Sequence, residues 1–227
     1  MKKKDLRCIH RHLITEHPKC FLKGMVKAEF NSDKEWSKET GLPWYTYPEY
    51  KIGYLDIETD GLTADFGTML SWCIKEKDGE IISSVVTREE LFGDVYDARL
   101  VQDLINEMNK YKILIGYYSD MFDFPYIRTK ALHYGLEFPT FGQIYTWDLY
   151  FSVRSKLRLS RNSLANVCDY LGIEGKTHVD KNVWRKAKYG DKKSLRLVLD
   201  HNASDVIATE LLHNKLEFSR KWTRKSI

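Results

Sequence analysis

Leu55, Asp56, Ile57, Glu58 and Thr59 place two carboxylates one residue apart in an otherwise apolar run. Side chains alternate across a strand, so Asp56 and Glu58 leave one face with their oxygens close together. Buried like charges repel, and each costs several kcal/mol to desolvate without a partner. A divalent cation held between them removes both penalties. The plainer alternative is a capped turn with a solvated Glu58 at a strand end.

Two further aspartates stand where such a site could recruit them. Asp123 lies in Phe122-Asp123-Phe124-Pro125-Tyr126-Ile127, just after an apolar stretch at Ile113 to Tyr117. Pro125 suits the first turn of a helix, which puts Asp123 near a helix N-terminus, where a simple cap is the competing reading. Asp205 falls within a long helical pattern, flanked by Leu197, Val198, Val206 and Leu211. His201 is four residues earlier and shares its helix face. An imidazole there could take a proton from a water near bound metal.

The elements that must position these groups begin at Lys51. A strand runs through Glu58, a second spans about Thr68 to Lys77, and a third Glu80 to Thr87, with Asp78-Gly79 as the hairpin turn. Leu100, Val101, Leu104, Ile105 and Met108 have helical spacing. Strands at Ile113 to Tyr117 and Ile144 to Trp147 follow, with a helix reaching Tyr134 between them. Helices near Asp148 to Leu157, Ser163 to Leu171 and Lys193 to Leu216 close the pattern, the last two separated by a polar segment. A hairpin-led sheet followed by alternating helices and strands predicts an α/β fold with a mixed sheet.

The segments Asp56-Ile57-Glu58-Thr59, Phe122 to Ile127 and His201-Asn202-Ala203-Ser204-Asp205, in this order, resemble the three motifs of DEDD-superfamily 3′-5′ exonucleases. The first two are most similar to proofreading domains of family B DNA polymerases and to stand-alone ribonuclease H-like exonucleases. The likeness spans about Lys51 to Leu216 and includes Trp147-Asp148-Leu149. It implies a ribonuclease H-like fold in which Asp56, Glu58, Asp123 and Asp205 hold two Mg²⁺ or Mn²⁺ ions for phosphodiester hydrolysis, releasing nucleoside 5′-monophosphates. Members of that superfamily carry a tyrosine four residues before the last aspartate or a histidine five before it. Here the four-before residue is His201 and the five-before residue Asp200, so His201 takes the tyrosine's place with the histidine's chemistry.

Such enzymes hold a frayed single-stranded end on aromatic platforms and phosphate contacts. Thr59, Leu62, Tyr118, Phe122, Tyr126 and Lys176 are the candidate substrate-binding residues, with Leu62 as a wedge against the terminal base or, alternatively, a core residue. Between Phe151 and Arg196, twelve Lys and Arg face four Asp and Glu, a local charge of +8 that leaves the remaining chain at −4. Lys176, Lys181, Arg185, Lys186 and Lys188 could line a phosphate track; a solvated helix face is the alternative. The tail residues Arg220, Lys221, Arg224 and Lys225 could extend it.

At 227 residues, 43% hydrophobic and 30% charged, the chain suits one sizeable core plus a small accessory unit. No apolar run reaches membrane-span length and the lysine-led start lacks a signal-peptide pattern, so an intracellular, cytoplasmic protein is expected. The expected domains are 1–48, 49–218 and a basic tail at 219–227. In the first, Cys8, His10, His17 and Cys20 supply four candidate ligands for a structural Zn²⁺; a histidine-rich arm with free thiols is the alternative. Cys73 and Cys168 read as core thiols.

The resulting expectation is a metal-dependent 3′-to-5′ exonuclease acting on nucleic acid, DNA favoured over RNA. The alternatives are a structure-selective endonuclease on the same fold and a binding module without turnover.

Overall fold

The structure, a computed structural model, describes residues 32–174, 177–219 and 226–227. Cys8, His10, His17, Cys20, Lys176 and the four basic tail residues lie outside the described residues. The chain divides into two compact units, Met1–Tyr50 and Lys51–Ile227. In the first, helix α1 covers residues 32–40 and a 3-10 turn covers Trp44–Thr46. The Trp36 ring stands edge-on to Tyr47, with centroids 5.8 Å apart, and the Tyr50 hydroxyl donates to Asp33 at 3.1 Å.

The second unit is built on a five-stranded mixed sheet. Its strands are β1 (Ile52–Thr59), β2 (Met69–Glu76), β3 (Ile81–Val85), β4 (Ile113–Gly116) and β5 (Tyr145–Asp148), in the order β3-β2-β1-β4-β5. The β1-β2 and β2-β3 pairs are antiparallel; β1-β4 and β4-β5 are parallel. The helices are α2 (Arg88–Leu91), α3 (Ala98–Met108), α4 (Asp123–Tyr134), α5 (Leu149–Lys156), α6 (Leu164–Leu171), α7 (Lys181–Lys188) and α8 (Lys192–Leu216). This is the expected ribonuclease H-like arrangement of a mixed sheet flanked by helices.

As the central strand, β1 is covered on both faces, and its alternation decides what each face does. Leu55 and Ile57 enter the hydrophobic core with Leu100, Val101, Leu104, Ile105 and Met108 of α3. Burying each such side chain contributes about 1.5–3 kcal/mol, which fixes the register and commits Tyr54, Asp56 and Glu58 to the opposite face, beneath α8. There the Tyr54 hydroxyl lies 2.7 Å from His213 Nδ1. The β1-β2 register shifts between Glu58 and Thr59. A bulge at this point bends the strand as it leaves the carboxylates.

At the Asp78-Gly79 turn, Asp78 adopts φ 55 and Gly79 N–H donates to the Glu76 carbonyl at 2.9 Å. Capping side chains set several helix starts: Asp148 accepts from Tyr150 N–H, Ser163 from Asn166 N–H and Asp191 from Ser194 N–H. The long α8, about 37 Å at 1.5 Å per residue, lies over β1 and β2 and carries both His201 and Asp205. Among the described residues, no helix is long and apolar enough to cross a membrane. Cys73 and Cys168 are buried thiols.

Candidate active site

Where β1 passes under α8, the two elements bring their polar groups together. Asn202 Nδ2 donates to Asp56 Oδ2 at 2.5 Å. His201 Nε2 stands 3.7 Å from Glu58 Oε1. One ligand atom each from Glu58, His201 and Asp205 lie within 4.8 Å of one another. The strand period of two and the helix period of four therefore converge on one cluster.

Asp123 reaches the same strand from the other side. It opens α4, but Phe122 is the N-cap and makes no side-chain cap bond, so the capping alternative does not hold. Instead, Asp123 Oδ1 accepts the Ile57 backbone N–H at 3.0 Å. The ladder of β1 with β4 covers only Ile52 to Tyr54; beyond it the carboxylate supplies an acceptor where β4 has ended. Asp123 is thus pinned to the residue between Asp56 and Glu58. Burial pushes its carboxyl up to about 7, the Ile57 N–H opposing and the nearby Asp148 charge adding to the rise.

Asp148, at the end of β5, accepts N–H bonds from Tyr118 at 2.8 Å, Asp120 at 3.1 Å and Tyr150 at 2.9 Å. Burial still pushes it up, to about 6. These bonds hold Tyr118 in the left-handed region at φ 65, uncommon for a residue with a side chain. The turn before it is also tight, since a Cβ on Gly116 would overlap the Ser119 side chain. The result is a fixed loop that presents Tyr118, partly exposed and edge-on to Tyr150 at 4.9 Å.

The remaining candidates divide. Leu62 is 87% exposed, which removes the core-packing alternative, and Phe66 in the same loop is 90% exposed. The loop is closed by Asp60, whose N–H donates to the Thr68 carbonyl at 3.0 Å and whose Oδ1 accepts Thr68 N–H at 2.6 Å. The Thr59 hydroxyl donates to the Gly61 carbonyl at 2.7 Å. Tyr126, expected at the substrate surface, is instead a core residue, 3% exposed, because its place on α4 faces the sheet. Phe122 packs partly buried against it, 5.7 Å between ring centroids. Lys188 pairs with Asp60 Oδ2 at 3.0 Å and braces the loop, whereas Lys181, Arg185 and Lys186 are exposed along α7.

A divalent cation fits these residues. Hard carboxylate oxygens and one imidazole nitrogen converge within reach of a single ion, and the buried Asp123 carboxyl is held at the cost that a positive charge would offset.

A family model described as the RNase H superfamily matches residues 53–217. The chain belongs to the RNase H superfamily. Among individual proteins, it is 24% identical to a DNA polymerase of Archaeoglobus fulgidus over 243 residues, covering 95% of this chain and 30% of that polymerase. The RNase H-like fold is also similar to that of the family B DNA polymerase from the hyperthermophilic archaeon Pyrobaculum calidifontis, with a TM-score of 0.58 and 18% identity over 74% of this chain and 24% of that one. The chain thus spans about a third of the curated relative and about a quarter of the solved one. Its RNase H-like fold is related to part of those polymerases.

Asn202 escaped the sequence reading. It is fully buried, accepts from Ser71 Oγ at 3.1 Å and donates to Asp56, so it fixes one carboxylate rotamer. The available signal was its position three residues before Asp205, on the same helix face. Asn202→Ala is expected to lower turnover about 10- to 100-fold by releasing Asp56. Steady-state kinetics beside a circular-dichroism melt separates that loss from unfolding; unchanged turnover would remove Asn202 from the site.

Proposed function

We propose that this chain is a metal-dependent 3′-to-5′ exonuclease that releases nucleoside 5′-monophosphates from single-stranded or frayed DNA ends. The observation that carries the reading is the cluster of Glu58, His201 and Asp205, with Asp56 held by Asn202 on the same strand and Asp123 bonded to the Ile57 N–H between the two strand carboxylates. Asp56, Glu58, Asp123 and Asp205 would hold two Mg²⁺ or Mn²⁺ ions, with His201 at their edge. When bound, such a pair activates the attacking water and stabilises the leaving 3′ oxygen.

The chain's own residues supply the rest. Asn202 and the Ile57 N–H hold Asp56 and Asp123 in single orientations, so little reorganisation is needed when the ions arrive. Leu62, Phe66 and Tyr118 present apolar surface to an unstacked terminal base. Lys181, Arg185 and Lys186 offer sequence-independent phosphate contacts. The likeness to two DNA polymerases favours DNA over RNA as the substrate.

An endonuclease on the same fold is separated by substrate topology. Linear and covalently closed circular single-stranded DNA of one sequence are digested with Mg²⁺ or Mn²⁺ and the products resolved by chromatography. Mononucleotides from the linear strand and none from the circle are expected. Cutting of the circle would replace the reading with the endonuclease.

A further inference from the structure

One carboxylate outside the cluster organises the surface next to Asp123. Asp148, 4% exposed, accepts N–H bonds from Tyr118 and Asp120 in the loop that leads to Asp123, and from Tyr150 at the start of α5. It therefore fixes the backbone under two tyrosine rings at once. Those rings meet edge-on at 4.9 Å, and Tyr117, edge-on to Tyr150 at 5.9 Å, donates its hydroxyl to the Asn162 carbonyl. That bond ties the segment after α5 to the same loop.

These rings are not committed to the core. Tyr118 is 44% exposed and Tyr150 is half-buried, although an aromatic side chain stabilises a fold most when it is fully buried. Tyr118 also keeps its left-handed backbone, φ 65, which is unfavourable for a residue with a side chain. Packing alone gives no reason to tie a strained backbone and an exposed ring to a buried carboxylate.

Positive charge accompanies the rings. From Leu149 to Cys168 the chain carries Arg154, Lys156, Arg158 and Arg161 and no acidic residue, and all four cations are exposed. Arg154 stands four residues after Tyr150 on α5 and shares its face, while Arg161 adjoins Asn162, the residue bonded to Tyr117. Rings for bases beside cations for phosphates are what a single strand of nucleic acid needs. A duplex keeps its bases stacked on one another, so exposed rings favour the single strand.

We propose that Tyr150 and the basic face of α5, with the segment that follows it, form a second subsite that grips the single-stranded nucleotides upstream of the one at the carboxylates, and that Asp148 is the positioning residue joining this subsite to Tyr118. The inference rests on the exonuclease reading above and deepens it: the substrate has several unpaired nucleotides at its 3′ end.

The test is equilibrium binding of 5′-fluorescein-labelled oligothymidylates of two and ten nucleotides to the full chain in chelator, read by fluorescence anisotropy. The longer strand is expected to bind the parent at least about 10-fold tighter. Tyr150→Leu, which keeps an apolar side chain, should cut that ratio about 5-fold, and Asp148→Asn should lower it as well. Arg154→Gln combined with Arg161→Gln should reduce the slope of log affinity against log salt for the longer strand by about 1.4, at about 0.7 per phosphate contact on a single strand. Thermal melts of each variant separate these changes from unfolding, and the exposed arginines decide the matter if Tyr150→Leu does not fold. Equal affinities for the two lengths in the parent, an unchanged ratio in folded Tyr150→Leu, or an unchanged salt slope in the arginine variant overturns the subsite; an unchanged ratio in folded Asp148→Asn overturns the positioning role. None of these readouts depends on turnover. A length ratio without digestion of either strand in Mn²⁺ upholds the subsite and refutes the exonuclease, whereas shortening from the 3′ end with equal affinities does the reverse.

Discussion

Asp123→Asn is expected to abolish turnover while making the metal-free protein more stable at pH 8. Asp123 is buried and its carboxyl is pushed up to about 7, against about 3.9 in an unfolded chain. Below the unfolded value the group is protonated in both states and no penalty applies. As pH rises between the two values, only the unfolded state has ionised, so stability falls; above about 7 the full penalty of a buried charge is in force. Asparagine keeps an oxygen for the Ile57 N–H and carries no charge. The variant should therefore match the parent near pH 4 and exceed it at pH 8 by on the order of 2–4 kcal/mol, or about 5–15 °C in melting temperature. Melts in chelator at both pH values read this directly. Added Mn²⁺ should narrow the gap by stabilising the parent, since a ligand that binds only the folded state raises its stability. Equal melting temperatures at pH 8 would contradict the placement of an ionised Asp123 at the site.

The second large effect concerns the cluster itself. Glu58→Gln and Asp205→Asn each remove one negative charge from the group that also contains His201, at nearly unchanged volume. Electrostatic stabilisation of a phosphodiester transition state is worth several kcal/mol, so each variant should lose at least about 10³-fold in turnover. The double variant should be only slightly worse than either single one, because the two act as a unit. Single-turnover digestion with bound DNA saturating separates this from weaker substrate binding. Losses that multiply in the double variant would mean that the two carboxylates work independently.

Much of this site was legible because its residues violate what folding alone would choose. Two carboxylates in an apolar strand and an aspartate inside a long helix are conspicuous, and β1, α3 and α8 have clear periodicity. Other parts gave no such signal. Helix α7 buries only Ala187 fully, so its sequence reads as a polar linker. Helix α2 is four residues long and is set by the capping box of Thr87 with Glu90, a local bond pattern rather than an apolar stripe. Residues 32–40 are largely polar and form a helix without a repeating apolar face. Tyr126 looked like a platform because it adjoins Asp123, but a helix turns successive residues by about 100°, and that turn takes it into the core. Asn202 acts through contacts to Ser71 and Asp56 across 131 and 146 positions, which a motif read along the chain does not reveal. The exposure of Phe66 depends on the closed loop between Asp60 and Thr68, a tertiary feature.

The most direct measurement of the central claim is digestion of 5′-labelled single-stranded and 3′-recessed DNA with Mg²⁺ or Mn²⁺, comparing the parent with Asp56→Ala. The account predicts a ladder shortening from the 3′ end with the parent and intact DNA with the variant. Intact DNA in both lanes with binding retained, or an identical ladder in both, would contradict it.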